Sequence, residues 1–324
     1  MARTIVPSEL LESTNRNIKI GDTALDSVDT TSPDTAADNV AIGNAALTAN
    51  LFGNKNIAIG SYALDANTTA SFNIGVGHMA LSANSTGAKN TAVGQDALAG
   101  NTTADENTAV GFQALETNST GAENTAVGSD SLQANTTASY NTAFGHTALK
   151  LNSTGAQNTA VGRAALINNT TANDNTAVGF NALYANTTAS NNVAVGSGAA
   201  DANTTGAQNT AVGQGAFTTN TTGSHNTAIG RSALLSATTA DYNTAVGSGA
   251  MDTTSTGTQN VAVGYKAMDA NTTGNYNVAV GYNALDANTT ADNNTAVGHS
   301  ALGANSTGDR LVAVGTGALA ANST

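Results

Sequence analysis

The sequence predicts an all-β protein, a β-solenoid or β-roll built of 17-residue rungs. A glycine recurs every 17 residues from Gly43 to Gly315, seventeen times with no insertion or deletion. The residues before each glycine alternate in character, as in Asn107-Thr108-Ala109-Val110-Gly111, and a period of two is that of a strand. Turn residues return so often that a helix between them would have only about six residues, well below the usual length. A spacing this strict is a mechanical constraint, because every copy must sit on the last in one register.

Residues 1–16 match nothing in the rest of the chain. Ser8 followed by Glu9-Leu10-Leu11-Glu12 reads as the start of a short helix. Residues 17–38 read as an atypical capping rung: Asn17-Ile18-Lys19-Ile20-Gly21 fits the repeat except that Lys19 stands where the array has alanine. Gly43 lies 22 residues beyond Gly21, so five extra residues, with Pro33 among them, are expected to loop out of this rung. A charge in a core-type position and an insertion oppose further stacking on that side.

The array proper is residues 39–324, with positions counted from each glycine as zero. Position −4 is Asn in sixteen of the seventeen copies, and Leu311 is the exception. Position −3 is β-branched, −2 is Ala apart from Gly75, and −1 is Val or Ile apart from Phe144. Alternation puts −3 and −1 on one face and −4, −2 and 0 on the other. The β-branched pair suits a pleated core stripe, and the small face lets another backbone approach closely.

Beyond the glycine, +3 is almost always Ala and +4 mostly Leu, with Ala200, Phe217, Met251 and Met268 as the departures from Leu. This pair is expected to begin a second short strand. Position +7 is Asn in fifteen copies and +9 is Thr after Phe52 in the first; Asn-Thr-Thr is turn chemistry. Stacking the rungs at about 4.8 Å turns −4 and +7 into columns of Asn, whose amides can bond along the column. Most +7 copies also read N-x-S/T, a glycosylation pattern only in a secretory context.

A formal net charge of −12 opposes a nucleic-acid-binding surface and favours solubility. With no cysteine there is no disulfide framework and no thiol chemistry. No apolar run approaches the length of a transmembrane helix, so no membrane insertion is expected. Met1–Leu11 has one basic residue and no apolar h-region, and does not read as a secretory signal.

The Asn-Thr-Ala-Val-Gly-x-x-Ala-Leu-x-x-Asn-Thr-Thr-Gly/Ala repeat over residues 39–324 resembles the repeat shafts of bacteriophage tail fibres. It is also similar to the head repeats of trimeric autotransporter adhesins, whose shorter repeat shares the Ala-Val/Ile-Gly core. The resemblance implies a parallel homotrimer of left-handed β-rolls, with the valine strand facing the interior. The opening Met-Ala-Arg-Thr-Ile-Val-Pro-Ser looks like the N-terminus of marine phage fibre proteins. The resemblance also implies a structural fibre of a phage virion, tail fibre first and head fibre second, assembled in the host cytoplasm and released by lysis. Residues 1–38 would bind virion adaptor or baseplate proteins, and the shaft would take part in attachment to a host surface glycan or protein. The alternatives are a bacterial cell-surface adhesin of the trimeric type and an ice- or polysaccharide-binding solenoid with regular Thr columns.

Catalysis needs unlike groups converging at one place, and the repeat supplies none, so no enzyme, cofactor or metal is expected. His78, His146 and His299 fall at +1 and His225 at +12; the first two are four rungs apart. The variable positions +1, +2, +5, +6, +11 and +12 carry nearly all the array's charge and should form the solvent face. The surface-binding aromatics are Phe72, Tyr140, Tyr242 and Tyr276 at +12, with Phe112, Phe180, Tyr265 and Tyr282 at +1. Exposed rings with Asn and Asp nearby suit sugar faces, and Tyr265 and Tyr282, on successive rungs, are placed to touch.

Overall fold

The computed structural model describes residues 16–28 and 36–323. The Ser8 helix and most of the attachment segment therefore lie outside the described residues, as does Pro33. The chain falls into two compact units, Met1–Gln157 and Asn158–Thr324. Both are all-β parallel solenoids of the 17-residue repeat, and the described residues contain no α-helix.

The first unit holds β1 (Ile18–Ile20), β2 (Val40–Ile42), β3 (Ile57–Ile59), β4 (Ile74–Val76), β5 (Thr91–Val93), β6 (Thr108–Val110), β7 (Thr125–Val127) and β8 (Thr142–Phe144). Each is three residues long, and from β1 to β8 they pair parallel in chain order and strict register, as in Ala92↔Ala109. The second unit repeats the plan from β9 (Thr159–Val161) to β18 (Val312–Val314). Lys19 pairs in register with Ala41, and its ammonium is 3.3 Å from Asp26. Arg16 clamps Asp38 with two hydrogen bonds of 2.6 and 2.9 Å.

Which face of the strand is inside reverses the expected core. In the rungs between the first and the last, −4 and −2 are buried, whereas −3 and −1 are half-buried to exposed, as the pattern of Thr91–Val93 shows; Lys19 and Leu311, at these positions of the end rungs, are half-buried. The core is Ala at −2 and +3 with Leu at +4; in the first unit Ala41, Ala58, Ala92, Leu47, Leu64 and Leu98 are all 0 % exposed. The valines point outward. The reason is parity: an Asn at −4 whose amide must bond inside carries −2 with it and turns −3 and −1 out.

The expected second strand is absent among the described residues; positions 0 to +6 form turns. Positions +2, +4 and +12 have left-handed backbone, for example Gln113 (φ 52), Leu115 (φ 55) and Glu123 (φ 56). That conformation costs a residue with a Cβ roughly 1–2 kcal/mol. Burying the Leu side chain contributes roughly 1.5–3 kcal/mol, which offsets the strain at +4. The turns are also bonded from rung to rung: Leu115 N–H donates to Ser131 O at 2.9 Å, and Gln113 N–H to Gln95 O at 3.0 Å. Gly111 (φ +138) takes no Cβ without strain, since one there would lie 2.6 Å from the Gly128 backbone.

The two Asn columns form, and they do different work. In the first unit Asn107 Nδ2 donates to Gly121 O at 2.8 Å, while its Oδ1 accepts the Asn124 backbone N–H at 2.9 Å. The same pair of bonds recurs at Asn56, Asn73 and Asn90. At +7 the bonds run amide to amide: Asn118 Nδ2 reaches Asn101 Oδ1 at 3.1 Å and Asn135 Nδ2 reaches Asn118 Oδ1 at 2.8 Å. A third column lies at +8, where the Thr68, Ser85, Thr102 and Ser119 hydroxyls each donate to the next rung's +8 carbonyl.

Candidate functional site: the exposed columns

With Ala, Leu and Asn inside, a partner can meet the outward face of the strands, the ring-bearing columns beside it and the turn at +9. The outward face is apolar at −1. In the first unit Ile59 and Val93 are both 37 % exposed and Phe144 is 53 % exposed; in the second, Val193, Val195, Ile229 and Val263 stand out similarly. Threonine shares position −3 with Val and Ile, so the stripe is a mixed β-branched surface.

All eight aromatics singled out from sequence are exposed, between 46 and 57 %. In the first unit, Phe72 lies under the Lys55 ammonium at 5.2 Å. Phe112 and Tyr140 stand without a stacked partner among the described residues. In the second unit, Arg163 packs over Phe180 at 5.5 Å, and Tyr242 stacks on His225 at 4.7 Å with planes 5° apart. Tyr265 and Tyr282 do touch, with centroids 5.3 Å apart and planes at 19°. His299 extends that stack, 5.2 Å from Tyr282 and at 6°. Tyr276 stands apart from it. Sequence reasoning missed the histidines as ring partners, although His299 shares the +1 column with Tyr282. It also passed over Tyr62, 44 % exposed, which meets His78 edge-on at 6.2 Å.

Charge is concentrated beside these columns. Position +5 carries Asp252, Asp269 and Asp286 on three successive rungs of the second unit. Burial pushes the Asp252 and Asp286 carboxyls above their ordinary value, with the Asp269 charge adding to it. Lys266 bonds Asp269 at 3.2 Å, and that hydrogen bond raises the lysine's pKa. In the first unit, desolvation alone raises Asp65. Among the described residues no group of three or more His, Cys, Asp or Glu side chains is placed to hold a metal ion.

Position +11, expected on the solvent face, is in part an interlock: Ala88 N–H donates to Asp105 Oδ1 at 2.6 Å, and Ala122 N–H to Ser139 Oγ at 3.0 Å. The N-x-S/T asparagines at +7, such as Asn67 and Asn118, are fully buried, so the folded repeat does not present them for glycosylation. The +9 threonines from Thr69 to Thr307 are exposed, and the turn's hydroxyl bonds come from +8 rather than from them. No family model matches the chain, and no curated protein matches its sequence.

Proposed function

We propose that this chain is the shaft of a homotrimeric virion fibre, a tail fibre first and a head fibre second, attached through residues 1–38 and contributing to host-surface attachment. The observation that carries the reading is the outward stripe of β-branched residues at −3 and −1. A repeat that keeps Val or Ile at an outward, half-buried to exposed position in almost every copy leaves an apolar stripe partly uncovered on each unit, and large exposed apolar patches mark association sites. Three copies packed stripe to stripe around an axis would cover it, and the strict register would let every rung meet its equivalents. The aromatic columns flanking the stripe then supply contacts to a host glycan or protein.

The test combines assembly and incorporation. Purified full-length protein should have the mass of a trimer by light scattering, and Val93→Lys with Val127→Lys should give monomers that keep their β-sheet signal. Deleting residues 1–38 should leave trimers intact but remove the protein from particles. A wild-type monomer would refute the trimer, and unchanged incorporation of the deletion would refute the anchor.

A second reading, a lattice-binding face, is favoured by the exposed row of +9 threonines. Thermal hysteresis in the presence of ice crystals supports it, and its absence removes it.

A further inference from the structure

The Tyr265–Tyr282–His299 stack presents an arrangement found at no other described rungs. Its three rings occupy position +1 of consecutive rungs, at centroid spacings of 5.3 and 5.2 Å. Because their planes are within 19° and 6° of parallel, the faces between them cover one another. Solvent therefore meets the ring edges, which carry two phenol hydroxyls and an imidazole in a row. Tyr265 and Tyr282 are 46 % and 50 % exposed. At either end the column continues with small residues, Ser248 before and Thr316 after, so the outer faces of Tyr265 and His299 have no ring against them.

We propose that this ladder is a binding rail for an uncharged linear polysaccharide lying along the stacking direction, a reading that rests on the host-attachment function above and gives it a ligand class. Three features select that class. The ring centroids, 5.3 and 5.2 Å apart, are spaced by about the length of one sugar ring in an extended chain, so each successive sugar meets one polar ring edge. Phenol and imidazole edges both donate and accept hydrogen bonds, which suits hydroxyls. Lys266 sits beside the ladder with its ammonium 3.2 Å from Asp269, and Arg231 acts on Asp252, but the three carboxylates of Asp252, Asp269 and Asp286 outnumber these two cations, which disfavours polyuronates and sulfated chains.

The test is affinity electrophoresis of the full chain in native gels containing either a neutral linear β-glucan or an anionic polyuronate, compared with the triple variant Tyr265→Ala/Tyr282→Ala/His299→Ala and with Tyr282→Phe. The neutral glucan should retard the wild type and the polyuronate should not. The triple variant should bind about tenfold or more weakly, as losing about 1.4 kcal/mol of contacts requires, with its oligomeric mass unchanged. Tyr282→Phe, which keeps the stack and removes one hydroxyl, should fall between. Retardation of the triple variant equal to wild type overturns the ladder while leaving glycan attachment elsewhere on the shaft intact. Preference for the polyuronate overturns the ligand class. Wild-type protein that ignores both polymers yet still adsorbs to host cells overturns the rail and spares the attachment reading; loss of adsorption as well removes both.

Discussion

Removing one asparagine from the −4 column should cost more than removing one from +7, although both are fully buried. Asn107→Ala deletes the acceptor of the Asn124 backbone N–H, at 2.9 Å, and the donor to Gly121 O. The Gly121 carbonyl keeps its 2.8 Å bond from Asn118, but the Asn124 N–H is left buried without that oxygen. An orphaned buried donor costs about 1–3 kcal/mol, and the lost amide contacts add about 1 kcal/mol, so the total is about 2–4 kcal/mol. Asn118→Ala orphans no backbone group: Asn135 Nδ2 retains Ala138 O at 3.0 Å, and only Asn101 Oδ1 and part of one carbonyl's bonding are lost. The orphaned Asn101 oxygen sets the cost there at about 1–3 kcal/mol, below that at −4 because no bond to a backbone N–H is lost. The sequence agrees with the ordering, since +7 tolerates Ala237 and Thr254 inside the array whereas −4 departs from Asn only at Leu311, in its last copy. Because a repeat array opens rung by rung, the assay is native-state hydrogen exchange together with urea unfolding. The Asn124 amide should exchange at least tenfold faster in Asn107→Ala, each tenfold being about 1.4 kcal/mol, and should be little changed in Asn118→Ala. Equal costs for the two variants, or an unaltered Asn124 amide, would refute the reasoning.

Three further outcomes rest on the same geometry. Phe217 is fully buried and Ala200 is 2 % exposed at the same position of adjacent rungs, so the large residue compensates for the small one; Phe217→Leu and Ala200→Leu should each destabilise, by about 1–3 kcal/mol for the overpacked change, and the double variant should recover part of it in a urea-unfolding cycle. Gly111→Ala, with a Cβ 2.6 Å from the Gly128 backbone, should lower the unfolding midpoint far more than Gly249→Ala, where φ is +64 and the nearest atom is a lysine side-chain carbon at 3.5 Å; left-handed strain alone gives about 1–2 kcal/mol. Burial raises the Asp252 carboxyl above its ordinary 3.8, so the fold favours its protonated form; that stability is fully present below 3.8 and is lost as pH rises through the raised folded value. Asp252→Asn should therefore be more stable than wild type to urea at neutral pH and equal to it below 3.8, and an equal difference at both would contradict the assignment.

The rung is legible in the repeat. The 17-residue glycine spacing reports a backbone contact between neighbours that admits no Cβ, and two nearly invariant polar columns in an otherwise small-residue repeat report amides that satisfy one another. Exposure of the aromatic columns was legible because +1 and +12 change residue type freely from copy to copy, although the same variation at +11 concealed an inter-rung interlock. Tertiary structure decided what alternation leaves open. A period of two separates Asn-Ala-Gly from the β-branched pair without saying which set faces inward, and hydrophobicity alone favoured valine. Burial of the Asn amides settled it, because a backbone N–H such as that of Asn124 needs the Asn107 oxygen inside, and Ala109 must then follow it. Local propensity likewise favoured a strand at Ala-Leu, yet the chain must turn there to return to the next rung. Leu115 accepts a left-handed backbone because its buried side chain and inter-rung hydrogen bond together outweigh the strain.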